Sequence, residues 1–127
     1  MTDNRPIGVF DSGVGGLTVL QAIQSALPNE STIYLGDLAR CPYGTRPQEE
    51  VREFATQIGD LLLDQGIKLL VVACNTATAA AYDRLCARYR LPVVGVIDPA
   101  VGEAVRVARN KKIGVVATEG TVASGAY

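Results

Sequence analysis

The sequence predicts an α/β fold built on a doubly wound, mainly parallel sheet. Three observations predict it: the 127 residues suit one domain, short runs of Val, Ile and Leu recur along the chain, and helix-length segments separate them. The apolar runs do not alternate strictly with polar residues, which is typical of strands covered on both faces. A strand–helix order that repeats four times and ends on a fifth strand indicates parallel strands joined by crossover helices.

Five strands are expected, one for each apolar run. In chain order they are Pro6–Phe10, Thr32–Leu35, Ile67–Ala73, Pro92–Ile97 and Lys112–Ala117. The chain stops at Gly120–Tyr127, where the fifth strand should lead into another helix, and only about one or two turns of that helix would fit. Because α/β domains do not usually end on an exposed strand with a short stub, we expect the chain to be a truncated part of a longer protein.

Four helices are expected between these strands. The clearest follows Pro47, which suits the first helical turn, and it ends at Gly66. Its apolar residues fall on one stripe, at Val51, Phe54, Ala55, Ile58, Leu61 and Leu62. The other helices are expected over about Leu17–Leu27, Thr76–Arg90 and the segment Val101–Ala108.

Composition excludes several classes of protein. The apolar fraction of 48% argues against disorder, and the formal net charge of -1 argues against nucleic-acid binding through bulk charge. The absence of His removes His-based triads and His-ligated metal sites from this chain. We expect no membrane span and no secretory signal, since neither a long apolar run nor a basic, then apolar, N-terminus is present. An odd number of cysteines, three, favours the reducing cytoplasm.

Polar residues cluster where the predicted strands end. Ligands of open parallel sheets bind beyond the carboxyl ends of the strands. Asp11-Ser12-Gly13 follows the first strand, Gly36-Asp37 the second, Cys74-Asn75-Thr76 the third, and Thr118 the fifth, with Thr121 beginning the next helix. The carboxyl edge of the sheet is therefore the predicted site.

The glycine-rich segment after the first strand allows two interpretations. Gly13 and Gly15 match the start of a dinucleotide-binding G-x-G-x-x-G motif, but Thr18 occupies its last position. The segment provides either turn geometry alone or a cradle for an anion. Asp11 likewise either caps the following helix or serves a ligand.

Cys74 also has a structural and a chemical interpretation. A buried lone Cys is most often a small apolar side chain. A position where a strand passes into a helix, however, exposes free backbone N–H groups, which lower a thiol's pKa and attract a carboxylate ligand. A phosphatase loop would need Arg where Ala80 stands. Cys41 is expected to pack within its loop and Cys86 within the core.

At this point the chain resembles the cofactor-independent aspartate/glutamate racemases, and among them the glutamate racemases. The matching segments are collinear and cover essentially the whole chain: Gly8–Leu17 (GVFDSGVGGL), Gly36–Gly44 (GDLARCPYG), Ala73–Ala77 (ACNTA), Gly95–Pro99 (GVIDP) and Ala117–Thr121 (ATEGT). The resemblance implies interconversion of L- and D-glutamate without cofactor or metal, supplying D-glutamate for peptidoglycan, cell-wall biogenesis and cell shape. It implies glutamate as partner, a homodimer when full length, and neither a membrane nor a nucleic-acid partner.

The resemblance also implies roles for individual residues. Two cysteines on opposite faces of the substrate act as thiolate and thiol in this family, and Cys74 matches the first of them. Asp11 matches an acidic neighbour that assists its proton transfer. The positions that match substrate contacts are Asp11, Ser12, Tyr43, Gly44, Asn75, Thr76, Thr118 and Thr121.

One departure from the family pattern concerns activity. The family's second cysteine lies in a downstream Gly-Cys-Thr-His motif, which this sequence lacks. The resemblance implies a two-lobed enzyme about twice as long, with residues 1–98 forming most of the first lobe and 99–127 beginning the second. We therefore expect this chain alone to be inactive. Two alternatives stay open: an aspartate or broad-specificity racemase, and a non-catalytic anion-binding module.

Overall fold

Four parallel strands and five helices make up the described part of the chain, residues 3–127 of a computed structural model. The strands are β1 (Ile7–Asp11), β2 (Thr32–Gly36), β3 (Leu69–Val72) and β4 (Val93–Gly95). The helices are α1 (Leu17–Ala26), α2 (Gln48–Asp64), α3 (Asn75–Arg88), α4 (Ile97–Val107) and α5 (Glu119–Ser124). The α/β prediction is confirmed.

The sheet has the order β2-β1-β3-β4, with every strand pair parallel. The chain first moves from β1 outward to β2, and then returns across β1 to add β3 and β4 on the other side. The direction of winding therefore reverses between β1 and β3. In doubly wound sheets such a reversal opens a crevice at the carboxyl ends of the two strands, where ligands bind.

Apolar cores lie on both faces of the sheet. On one face α2 and α3 bury Phe10 of β1 together with Leu70 and Val72 of β3. On the other face α1 covers Val9 and Val71. Adjacent residues of one strand thus point into different cores, which explains why the strand sequences are apolar without alternation.

The ends of α2 follow local sequence signals. Pro47 is the N-cap, one position before the predicted first-turn place, and Glu49 and Glu50 lie in the first turn, where negative charge complements the helix N-terminus. Gly66 follows the helix with a φ of 75°, a left-handed conformation that favours glycine.

The structure corrects two sequence-based predictions. The predicted fifth strand, Lys112–Ala117, pairs with no strand among residues 3–127, and Val116 within it is fully exposed. Apolar composition alone does not make a strand, because a strand needs a neighbour to satisfy its backbone groups. Cys86, predicted to lie in the core, is exposed on α3 because it falls outside the stripe that faces the sheet.

Helix lengths bear on membrane association. Among the helices of residues 3–127, none combines the length and the apolarity needed to cross a bilayer.

Candidate active site

Asp11 and Cys74 flank the point where the winding of the sheet reverses. Asp11 is the last residue of β1, and Cys74 follows β3, its neighbour in the sheet. The hydrogen bond from the Ala73 N–H to the Phe10 carbonyl, 2.8 Å long, extends the pairing of the two strands up to this edge. The structure therefore brings together the two residues for which the family resemblance implies catalytic roles.

Cys74 is the N-cap of α3. Its thiol sulfur accepts a hydrogen bond from the Ala77 N–H at 3.4 Å, and the thiol donates to Ser12 Oγ at 3.6 Å. Only 6% of the residue is exposed. The sulfur lies between the Ser12 hydroxyl and an N–H group of the first turn of a helix, the kind of donor that stabilises a thiolate.

Burial nevertheless governs the ionisation of this thiol. Burial raises the pKa of Cys74 above its ordinary value, and the negative charge of Asp11 adds to the rise. The hydrogen bonds with Ala77 and Ser12 lower the pKa by less than burial raises it. The expectation of a lowered thiol pKa is wrong for this structure, because desolvation of the thiolate outweighs the helix N-terminus.

Asp11 binds the glycine loop and reaches Cys74 through Ser12. Its Oδ2 accepts hydrogen bonds from the N–H groups of Gly13, at 3.2 Å, and Gly16, at 2.9 Å. Its Oδ1 accepts from the Ser12 hydroxyl at 3.5 Å. Asp11 therefore orders the glycine loop, and it ends a thiol–hydroxyl–carboxylate path that starts at Cys74; its role toward a ligand stays a prediction.

The Tyr43 side chain is buried and hydrogen-bonded to Asp37. The residue is 1% exposed, and its phenol donates a hydrogen bond to Asp37, which also accepts from Arg40 Nε at 2.7 Å. Burial and the bond to Asp37 raise the pKa of the phenol well above its ordinary value. The side chain is thus a protonated anchor that holds the loop leading to Gly44.

Gly44 and three threonines join the second and third strand ends to α5. The hydroxyls of Thr76, Thr118 and Thr121 form a row, with 2.9 Å between successive oxygens. A Cβ at Gly44 would lie 2.6 Å from the Thr118 methyl carbon, so only glycine permits this approach. Asn75 lies beside the row, and its side-chain oxygen accepts from the Tyr127 hydroxyl at 2.6 Å.

The groups available at this edge are one thiol, one carboxylate, several hydroxyls and backbone N–H groups. No cluster of three or more His, Cys, Asp or Glu side chains that could hold a metal ion occurs within residues 3–127. Cys41 is exposed and not packed within its loop as predicted. It lies at the rim of the 11–16 loop, where a Cβ added at Gly13 would be 3.4 Å from its sulfur. The arrangement suits proton transfer at a small substrate with carboxylate groups.

Comparison with protein families identifies the group to which this arrangement belongs. A family model described as Asp/Glu/Hydantoin racemase matches residues 7–127. The chain belongs to this family. The match contains all of the strand-end residues described above, and the predicted resemblance is confirmed.

Individual family members are similar over nearly the whole chain. The glutamate racemase of Corynebacterium diphtheriae is 58% identical over 125 residues, covering 98% of this chain and 47% of the relative. The solved glutamate racemase of Aquifex pyrophilus has a TM-score of 0.94 at 51% identity, covering 96% of this chain and 48% of the other. The Francisella tularensis enzyme, solved in complex with D-glutamate, has a TM-score of 0.90 at 46% identity. This match covers 99% of this chain and 47% of the Francisella chain. The chain spans about half the length of these relatives.

Sequence reasoning missed two contributors to this family site. Arg40 holds Asp37, and Tyr34 donates to the Gly13 carbonyl at 3.0 Å. The Ala77 N–H, which contacts the sulfur, is one of the free N–H groups predicted for the start of this helix. Tyr34 lies two residues before Gly36 and therefore on the same face of β2. This spacing indicates a contact with the loop after β1 only when the register of β1 and β2 is known.

The buried thiol leads to a prediction about pH. Because burial raises the pKa of Cys74, we expect its alkylation by iodoacetamide to have a midpoint above that of free cysteine. Between the pKa of the unfolded chain and the raised pKa of the folded chain, the folded chain keeps the thiol proton that the unfolded chain has lost. The contribution of Cys74 to stability is therefore present at neutral pH and declines as pH rises through the raised pKa. Peptide-resolved mass spectrometry of labelling rates against pH measures the midpoint. A midpoint at or below that of free cysteine would contradict the prediction.

Proposed function

We propose that the full-length protein racemises glutamate by proton transfer at Cys74, with no cofactor. The observation that carries the proposal is the path from the Cys74 thiol through Ser12 to Asp11, at the carboxyl edge of β1 and β3. Two kinds of comparison support it. Relatives at 52–58% identity are named glutamate racemases, and the similar Francisella tularensis structure holds D-glutamate.

The chemistry requires a base at one face of the substrate's α-carbon. The Cys74 thiolate takes the α-hydrogen as a proton, so that an S–H bond forms while the C–H bond breaks and its electron pair stays on carbon. A thiol on the opposite face then returns a proton to that carbon with inverted configuration. Because the C–H group is a very weak acid, a thiolate whose raised pKa makes it more basic suits this step.

Ser12 and Asp11 prepare Cys74 for this step. Ser12 Oγ lies within hydrogen-bond reach of both the sulfur, at 3.6 Å, and Asp11 Oδ1, at 3.5 Å. The thiol proton can therefore leave toward the hydroxyl as the hydroxyl proton moves toward the carboxylate. Asp11 serves as the proton acceptor at the end of this path, and Ser12 is the bridge.

We assign substrate binding to the groups around the threonine row. Asn75, Thr76, Thr118 and Thr121 offer an amide and hydroxyls for carboxylate oxygens, with the Tyr43–Gly44 backbone beside them. Thr121 is 2% exposed and Thr76 7%, so their hydroxyls contribute mainly by orienting Thr118 between them. Ser12 and Asp11 complete the set, with the carboxylate suited to the substrate ammonium group.

The second acid–base group is the part of the mechanism that this chain does not supply. Apart from Cys74, its cysteines are Cys41, at the loop rim, and Cys86, exposed on α3. We infer that the opposing thiol belongs to a second lobe, with residues 1–98 forming most of the first lobe and 99–127 beginning the second. In support, residues 108–118 join none of the four strands of the described sheet. The 127-residue chain alone is then inactive.

We further propose a cytoplasmic role in supplying D-glutamate for peptidoglycan, with the full-length protein as a homodimer. A second candidate activity rests on the family description, which includes aspartate and hydantoin substrates beside glutamate. An aspartate or broad-specificity racemase would use the same thiol path with a shorter substrate.

The test is racemisation by the full-length gene product. Circular dichroism of D-glutamate in deuterated buffer, with mass spectrometry of α-deuterium, is expected to show loss of optical activity and deuterium uptake. Parallel assays with D-aspartate separate the second candidate, and the 127-residue chain is expected to show neither signal. Failure to racemise or exchange either amino acid would contradict the proposal and favour an anion-binding module.

A further inference from the structure

We propose that Tyr34 is a positioning residue that holds the 11–16 loop in the geometry Cys74 needs. The inference rests on the proposed function and extends it to a residue outside the assigned site. Tyr34 lies in β2, two strands away from β3, and its ring packs among the residues between the sheet and α1. Its hydroxyl donates a hydrogen bond to the loop, at Gly13.

The backbone of Gly13 is held on both sides of the residue. Its N–H donates to Asp11 Oδ2 at 3.2 Å, and its carbonyl accepts from the Tyr34 hydroxyl at 3.0 Å. The carbonyl also rests against Gly36, where an added Cβ would lie 2.5 Å from the oxygen. Gly13, the residue that follows Ser12, is therefore restrained by the end of β1 through its N–H group and by β2 through its carbonyl.

This restraint controls the position of Ser12. Ser12 lies between Asp11, which ends a buried strand, and Gly13, which Tyr34 holds. Its hydroxyl lies 3.5 Å from Asp11 Oδ1, long for an O–H···O hydrogen bond, and 3.6 Å from the Cys74 sulfur, so a small displacement of the loop breaks the path. Misplacement of a reacting group by about 1 Å can cost on the order of 10²-fold in rate.

The electrostatic surroundings keep Tyr34 a donor. Burial raises the pKa of its phenol, and the negative charges of Asp11 and of ionised Cys74 raise it further. The phenol therefore stays protonated when Cys74 ionises, and the hydrogen bond to Gly13 persists through the proton-transfer cycle.

The experiment compares Tyr34→Phe with Tyr89→Phe in the full-length gene product. Both variants keep the ring and remove one partly buried hydroxyl, but Tyr89 lies at the opposite end of α3, where its hydroxyl is within hydrogen-bond distance of Asp60 and of the Thr56 carbonyl. We expect Tyr34→Phe to lower kcat for glutamate about tenfold, with a smaller change in KM. In a Ser12→Ala background the same change should cost less, because its effect passes through Ser12.

Labelling of Cys74 provides a readout that needs no substrate. Releasing the loop exposes the sulfur, so Tyr34→Phe should raise the iodoacetamide labelling of Cys74 severalfold relative to that of exposed Cys86 in the same sample. Gly36→Ala pushes the same carbonyl from the other side and should act in the same direction. Tyr89→Phe should leave this ratio unchanged.

The outcomes separate this inference from the proposed function. If Tyr34→Phe matches Tyr89→Phe in kcat and in labelling ratio, or if its loss is equal in the Ser12→Ala background, the positioning role is wrong. If the unaltered protein racemises nothing, the proposed function is wrong, and the labelling ratio still decides the role of Tyr34.

Discussion

Replacing Cys74 by serine in the full-length protein is expected to lower kcat for glutamate racemisation by about 10²–10⁴-fold while the fold stays intact. A hydroxyl at this position is far too weak an acid to supply the anion that removes the α-hydrogen. Serine is a preferred N-cap residue, so it should keep the hydrogen bond from the Ala77 N–H that Cys74 now accepts at 3.4 Å. Racemisation of D-glutamate followed by circular dichroism measures the loss.

Two further variants make this result specific. Cys74→Ala should lose as much activity as Cys74→Ser. It should also lower the free energy of unfolding by about 1 kcal/mol, because alanine cannot cap the helix. Cys86→Ser alters an exposed thiol on the same helix and should leave both activity and the unfolding midpoint unchanged. Retained racemisation in Cys74→Ser, with a folded protein, would rule out the thiolate mechanism.

Gly16→Ala is expected to have the second-largest effect. A Cβ at Gly16 would lie 2.6 Å from Asp11 Cβ and 3.0 Å from Ala73 Cβ, and both atoms are fixed to strand ends. The φ of Gly16, -64°, is one that alanine adopts freely, so the conflict is purely steric. The start of α1 must move away, which breaks the 2.9 Å hydrogen bond from the Gly16 N–H to Asp11. We expect destabilisation by about 1–3 kcal/mol and a loss on the order of 10²-fold in kcat/KM.

Its neighbour in the same loop is the matched control. A Cβ at Gly15 would meet only Asp11 Oδ2, at an ordinary 3.7 Å. Gly15→Ala should therefore change the free energy of unfolding by less than about 0.5 kcal/mol. Urea unfolding of both variants, with kinetics of the full-length protein, tests the pair. Equal free energies of unfolding for the two variants would contradict the prediction, because they would show that the start of α1 moves to accept a Cβ at Gly16 without loss of stability.

Much of this architecture follows from local sequence. The limits of α1 and α2 match the predicted segments because Pro28, Pro47 and Gly66 act within one or two residues of the helix ends. The strand-end residues were predictable as a group, since in a parallel sheet the residue that follows each strand lies at one edge. The family resemblance rests on these same segments.

Other features depended on contacts between distant parts of the chain. Lys112–Ala117 has the composition of a strand but pairs with none among residues 3–127, and Cys86 is exposed although the surrounding helix packs on the sheet. Tyr43 matched a substrate-binding position, yet its phenol is committed to Asp37. Pairing partners and the direction of a side chain are not encoded in the period of apolar residues.

The fold class and the membership of Asp11, Ser12 and Cys74 in one edge of the sheet were determined by the amino-acid sequence, through strand composition and the residues that end each strand. The adjacency of β1 and β3 brought Cys74 within reach of Ser12, a pairing of residues 62 positions apart. The ionisation of the thiol was likewise a tertiary property. A helix N-terminus can be predicted locally and favours a thiolate, but the degree of burial, which disfavours it more strongly here, exists only once the strands and helices have packed.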